Sequence, residues 1–151
     1  MALNAKISDD LRRAMKSGDK IRLETLRTLR AALMEKEIEK RGSGQGMSEE
    51  DELGVLTSAA KKRRESMELF EKGGRLELVE QEGRELAIIQ EYLPKQLTTE
   101  EIGEVVNRII RQVGAVSQKD FGKVMPLVMK ELRGKAEGSI IQECVRKSLG
   151  E

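Results

Sequence analysis

Apolar residues recur along this chain at intervals of three and four, and most interruptions of that rhythm fall on a glycine or a proline. The clearest run is Ile102, Val105, Val106, Ile109, Ile110 and Val113, which follows i, i+3, i+4, i+7, i+8, i+11 without a miss. Such spacing turns one face of an α-helix toward a core and leaves the other to water. The period-two alternation of a half-buried strand is not evident anywhere, so the chain is expected to be all-α. Composition points the same way. Only Phe70, Tyr92 and Phe121 are aromatic among 151 residues, and a core of Leu, Ile, Val, Met and Ala favours helix packing over a β-sandwich.

The punctuation places the helices. Leu3, Ile7, Leu11 and Ala14/Met15 share a face of a first helix that stops near Gly18. Asp19 is a cap for a second helix running to about Arg41, with Leu23, Leu26, Leu29, Leu33 and Ile38 as its apolar side. The stretch RGSGQG is a flexible loop, and Ser48 starts a third helix with acids in its first turn. Leu53, Leu56, Ala60, Met67 and Phe70 form its buried stripe before Gly73-Gly74 ends it. A fourth helix carries Leu76, Val79, Leu86, Ile89 and Leu93, with Gly83 on the stripe where a neighbouring helix can approach closely.

At EYLPKQL the proline stops the helix and pushes Leu93 into an extended conformation, which places a domain boundary between residues 1–93 and 94–151. Thr98-x-x-Glu101 then reads as a capping box for a fifth helix closed by Gly114. Ser117 caps a sixth helix with Phe121, Val124, Met125, Val128 and Leu132 on its face; Pro126 inside it predicts a bend or a first turn that is not α-helical. The last helix opens with Ser139-x-x-Gln142 and buries Ile140 or Ile141, Cys144, Val145 and Leu149. The expected arrangement is a four-helix N-terminal domain followed by a small three-helix C-terminal domain.

Several function classes recede. The chain has no histidine, the commonest general base and transition-metal ligand. Its single cysteine, Cys144, excludes an internal disulfide and falls on an apolar helix face. Asp and Glu are spread over helix surfaces with no spacing that singles out a catalytic pair, so no catalytic residue, metal or cofactor is expected. Asp120-Phe121-Gly122 spells the kinase metal-binding triplet but lacks the glycine-rich loop, strand lysine and catalytic loop that would give it meaning. Gly42-Ser-Gly-Gln-Gly46 lacks the Gly-Lys-Ser/Thr end of a phosphate loop. No apolar run approaches the ~20 residues of a membrane helix, and the N-terminus lacks the pattern of a signal peptide, so a cytoplasmic protein without a membrane partner is expected.

Charge is abundant but balanced: 36% of residues are charged, for a formal net charge of +1. Two basic features stand out. Lys61-Lys62-Arg63-Arg64 wraps more than half a helix turn, so only part of it can face one partner, and a solvated face is the plain reading. In ELRGKAEGSII, Lys130, Arg133 and Lys135 precede a helix start at about Gly138, where unbonded N–H groups and the positive dipole end can hold a phosphate. The same residues also read as a plain turn, with Gly134 a left-handed C-cap and the cations favourable at a helix C-terminus. Both readings stand at this point.

Taken together, LRAALMEKEIEK, RRESMELFEKGGRLEL, YLPKQL and GKVM…GKAEGS, in that order, resemble the YqeY-like proteins over essentially the whole chain. The resemblance implies a helical N-terminal domain and a C-terminal domain similar to the tail of the B subunit of glutamine-dependent aspartyl/glutamyl-tRNA amidotransferase, which helps hold the tRNA body. By that resemblance residues 94–151 are an RNA-gripping module, with Lys123, Lys130, Arg133, Lys135, Ser139 and the backbone at Gly134 and Gly138 meeting tRNA or another structured RNA. Arg108, Arg111, Arg146 and Lys147 would stand at the margins; Arg27, Arg30, Lys61 and Arg64 would extend a basic surface in the N-terminal domain. Pro126 stands where the family run GKVMG suggests glycine, and the amidase serine and lysine machinery has no counterpart. A carbon–nitrogen ligase label with glutamine as amido donor would thus rest on ancestry of the tail. The alternatives are a helical adaptor docking on an amidotransferase or aminoacyl-tRNA synthetase, and an enzyme active only with a partner.

Overall fold

A computed structural model describes residues 2–150. They form seven α-helices and one 3₁₀ turn, with no strand among the described residues. The chain divides into two compact units, Met1–Leu93 and Pro94–Glu151.

The first unit holds α1 (Ala2–Ser17), α2 (Lys20–Gly42), α3 (Glu49–Lys72) and α4 (Leu76–Gln90). Gly18, with φ +75°, turns the chain out of α1 in a left-handed conformation that an L side chain adopts only with strain. The Asp19 carboxylate then accepts the Arg22 N–H at 3.1 Å and caps α2. Ser48 and Asp51 form a reciprocal capping box at the start of α3, where Glu49, Glu50, Asp51 and Glu52 also meet the positive end of the helix dipole. That box holds the Asp51 carboxyl below the usual carboxylate range, chiefly through the Ser48 N–H.

Ile7 and Leu11 of α1, Leu26, Leu29 and Leu33 of α2, Leu56 and Ala60 of α3, and Ile88 and Ile89 of α4 make one core. The Tyr92 hydroxyl donates to Asp10 at 2.5 Å and Lys6 lies over its ring, tying the end of α4 to α1. Several expected stripe positions lie outside this core, among them Met15, 57% exposed, Ile38, 65% exposed, and Leu76, 68% exposed. Ile38 lies in the last turns of the 23-residue α2, and Leu76 is the first residue of α4, beside the Gly73-Gly74 turn. At Gly83 the neighbour is the flexible Met67 methyl, 3.5 Å from where a Cβ would stand, rather than a helix backbone.

The second unit holds α5 (Thr99–Val113), a 3₁₀ turn (Gln118–Asp120), α6 (Phe121–Leu132) and α7 (Gly138–Ser148). Thr98 and Glu101 form the reciprocal capping box of α5, and Gly114 closes it at φ +70°. Three residues from each helix build the core: Ile102, Val106 and Ile109; Val124, Val128 and Leu132; Ile141, Val145 and, just past α7, Leu149. Half-buried Cys144 packs against it.

Ser117 caps the 3₁₀ turn rather than α6 itself. α6 continues through Pro126, whose missing N–H leaves only the carbonyl of exposed Gly122 to be satisfied by water. The start of α7 differs from the expected Ser139-x-x-Gln142 box. The amides of Ile140 and Ile141 both donate to the Glu137 carbonyl at 3.1 Å, so the chain is already helical at Gly138 and Ser139 is its second helical residue. Glu137 occupies the cap position without a side-chain cap bond. Among the described residues no helix is long and apolar enough to cross a membrane.

Candidate functional site

The turn from α6 to α7 shows what its glycines do. Arg133 leaves the helix, Gly134 turns left-handed at φ +76°, and the Lys135 N–H returns to the Leu132 carbonyl at 2.9 Å. The turn is anchored by the segment before α5: Leu97 N–H donates to the Lys135 carbonyl at 2.8 Å, and Gln96 Nε2 donates to the carbonyls of Gly134 at 2.7 Å and Pro94 at 2.8 Å. Gly134 itself is buried. It is a C-cap inside a tied turn. Gly134→Ala is therefore expected to lower stability by about 1–2 kcal/mol, because an L residue is strained in the left-handed region. The shift should appear in the urea midpoint, with affinity for any ligand of the folded molecules unchanged.

Gly138 and Ser139 are exposed, and Glu137, the cap residue of the same helix start, makes no side-chain cap bond to it. Ser139 also lines a shallow depression along α7 with Gln142, Glu143, Arg146 and Lys147, where Lys147 is paired to Glu143 at 3.1 Å.

The cations sort by what they already touch. Lys130 and Lys135 are exposed and form no ion pair among the described residues. The Lys123 side chain is 75% exposed and only loosely near Asp120, at 3.8 Å. Arg133 is exposed yet engaged within the protein, as is Glu137. Arg108 is paired with Glu131, while Arg146 lies over the Phe121 ring at 5.6 Å from its centre. Exposed Arg111 forms no ion pair among the described residues. Lys123 and Lys130, seven residues apart, share the face of α6 opposite buried Val124, Val128 and Leu132. Asp120 belongs to the fold: the Val116 amide, joined by that of Ser117, holds its carboxyl below the usual range.

In the first unit the basic run separates. Lys61 and Lys62 are exposed, Arg64 is engaged within the protein, and Arg63 turns inward. One Arg63 nitrogen reaches Glu82 at 3.1 Å and Glu85 at 3.0 Å. Desolvation raises the Glu85 pKa above the ordinary glutamate value, against the pull of Arg63. The signal for this cluster was present in the spacing: Leu56, Ala60, Arg63 and Met67 follow i, i+4, i+7, i+11, and Glu85 stands three before Ile88. Arg27 and Arg30 are exposed on α2. No cluster of three or more metal-ligating side chains occurs among the described residues.

The described residues form two helical units with separate cores, and exposed lysines without an ion pair among the described residues occur in both, Lys61 and Lys62 in the first and Lys130 and Lys135 in the second. The sequence model of the YqeY-like proteins matches residues 4–149, nearly the whole chain, and this chain belongs to that family. It is also 34% identical over 89 residues to "Altered inheritance of mitochondria protein 41, mitochondrial" of Lachancea thermotolerans. That match covers 59% of this chain and 46% of the relative, so the chain spans about half the length of the relative it matches.

Proposed function

We propose that this protein is a non-catalytic accessory that binds tRNA or another structured RNA through residues 94–151, acting as a domain similar to the tail of the amidotransferase B subunit, with 1–93 a separate helical domain. The observation that carries the reading is the set of exposed lysines without strong internal partners, Lys123, Lys130 and Lys135, on α6 and the turn that follows it. Arg133 joins them if its internal contact yields, and the first-turn backbone at Gly138 and Ser139 lies nearby in sequence. Contacts of this kind grip sugar-phosphate and position an RNA without reading its bases. The ligase label of the amidotransferase is ancestry under this reading, since the chain offers no nucleophile paired with a base.

The test is tRNA binding at two salt concentrations. With about four phosphates contacted, a fourfold rise in salt should weaken binding on the order of 100-fold. Lys135→Glu and Arg133→Glu should each weaken it further and flatten the salt dependence. No binding at low salt ends the RNA reading, and wild-type affinity in both variants ends the site assignment. A stoichiometric protein retained after nuclease treatment, with no RNA, would instead favour the adaptor that docks on an amidotransferase or synthetase.

A further inference from the structure

The outward face of α6 is more ordered than a scatter of lysines. Lys123, Pro126 and Lys130 are spaced by three and four, which draws one stripe along the side of α6 opposite Val124, Val128 and Leu132; exposed Lys119 stands in the 3₁₀ turn just before the helix and Arg133 just after it. Pro126 is exposed at its middle, and Leu127 and Met129, 45% and 37% exposed, flank it on the two sides. Lys119 and Lys130 form no ion pair among the described residues, while Arg133 is engaged within the protein. Glu131 is turned to Arg108, and the Asp120 carboxyl, which accepts from the Val116 and Ser117 amides, lies only loosely near Lys123 at 3.8 Å.

We propose that α6 lies across the minor groove of base-paired RNA, with Lys119, Lys123 and Lys130 on the phosphates and Pro126 and Leu127 against ribose. The inference rests on the RNA reading above and narrows it to one form of RNA. Three features of the stripe select that form. Single-strand binders stack bases on aromatic rings, and the one aromatic of α6, Phe121, packs against the core beneath Arg146. Helices that read B-form DNA carry Arg, Asn or Gln toward base edges in the major groove, whereas this face is Lys, Pro, Leu, Met and Gly until Arg133 at its end.

A-form RNA closes its major groove to a helix and presents a wide, shallow minor groove lined by ribose, recognised by shape and phosphate. Apolar groups between two lysines about 10 Å apart along the axis suit that surface.

The full chain is titrated with a fluorescent RNA duplex, a DNA duplex of the same sequence, the single RNA strand, and tRNA. The RNA duplex is expected to bind at least tenfold more tightly than the DNA duplex or the single strand. Lys123→Gln/Lys130→Gln should reduce the logarithmic salt slope by about 1.5–2. Leu127→Asp should weaken duplex binding at least tenfold while circular dichroism and the thermal midpoint stay at wild-type values. Equal affinity for the DNA duplex or the single strand overturns the inference, as does wild-type affinity in a folded Leu127→Asp. If tRNA binds and responds to Lys135→Glu but not to the α6 variants, the RNA reading survives and this inference falls; if tRNA does not bind at low salt, both fall.

Discussion

Replacing Arg63 with methionine is expected to destabilise the first unit by about 2–3 kcal/mol near neutral pH, although the residue belongs to a run that looks like a solvated basic patch. The side chains of Arg63, Glu82 and Glu85 are only 23%, 16% and 10% exposed. Removing one partner of a fully buried pair costs about 3–5 kcal/mol because a charge is left without compensation; partial exposure of Arg63 reduces that figure. Two carboxylates would then face each other with no cation between them.

The loss should depend on pH with a definite sign. The folded-state pKa of Glu85 is raised by desolvation, and Arg63 opposes the rise. A carboxyl whose folded pKa lies above its unfolded value contributes stability in its protonated form below the unfolded pKa, and loses that contribution as pH climbs through the folded pKa. Without Arg63 the folded pKa climbs further, so Arg63→Met should recover part of its lost stability at about pH 5 relative to about pH 7. Arg63→Met/Glu85→Gln should recover part of it at neutral pH as well. Chemical denaturation at the two pH values measures this; a single-variant loss below about 0.5 kcal/mol, the level of an ordinary surface change, would mean the cluster is not a structural contact.

Leu132→Ala is expected to unfold much of the second unit. Leu132 is 1% exposed at the end of α6, within the core shared by α5, α6 and α7. Buried Leu→Ala changes cost about 2–5 kcal/mol, and a core this small rarely supplies more than about 3–5 kcal/mol in total. Two residues earlier on the same helix, Lys130→Gln should stay within about 0.5 kcal/mol of wild type. Amide hydrogen exchange over 99–148 separates the two outcomes. Loss of protection in Lys130→Gln, or full protection in Leu132→Ala, would contradict the placement of α6.

Local signals were legible before the fold was known. The caps at Asp19, Ser48 and Thr98 and the left-handed glycines Gly18 and Gly114 depend on a few consecutive residues, and each does what its residue type predicts. The α5 stripe was equally clear, except that Val113 in its last turn is 40% exposed. Ser139 misled because a good cap residue marks a helix start only where the preceding residues are not yet helical, and Gly138 already is. The stripe of α4 was read without Ile88 or Glu85, since deciding which of several adjacent positions faces the core requires knowing where α1, α2 and α3 lie.

Sequence alone determined the helical class, the helix punctuation and the family, because periodicity, capping and motif order are properties of neighbouring residues. Only the tertiary structure decided which charges remain available. Arg63 leaves its basic run to meet carboxylates nineteen and twenty-two residues later, and Gly134 is sealed in a turn by Gln96, thirty-eight residues earlier. Spacing along α3 puts Arg63 on the buried stripe, but which carboxylates it meets there is set by through-space neighbours that no local pattern along the chain names.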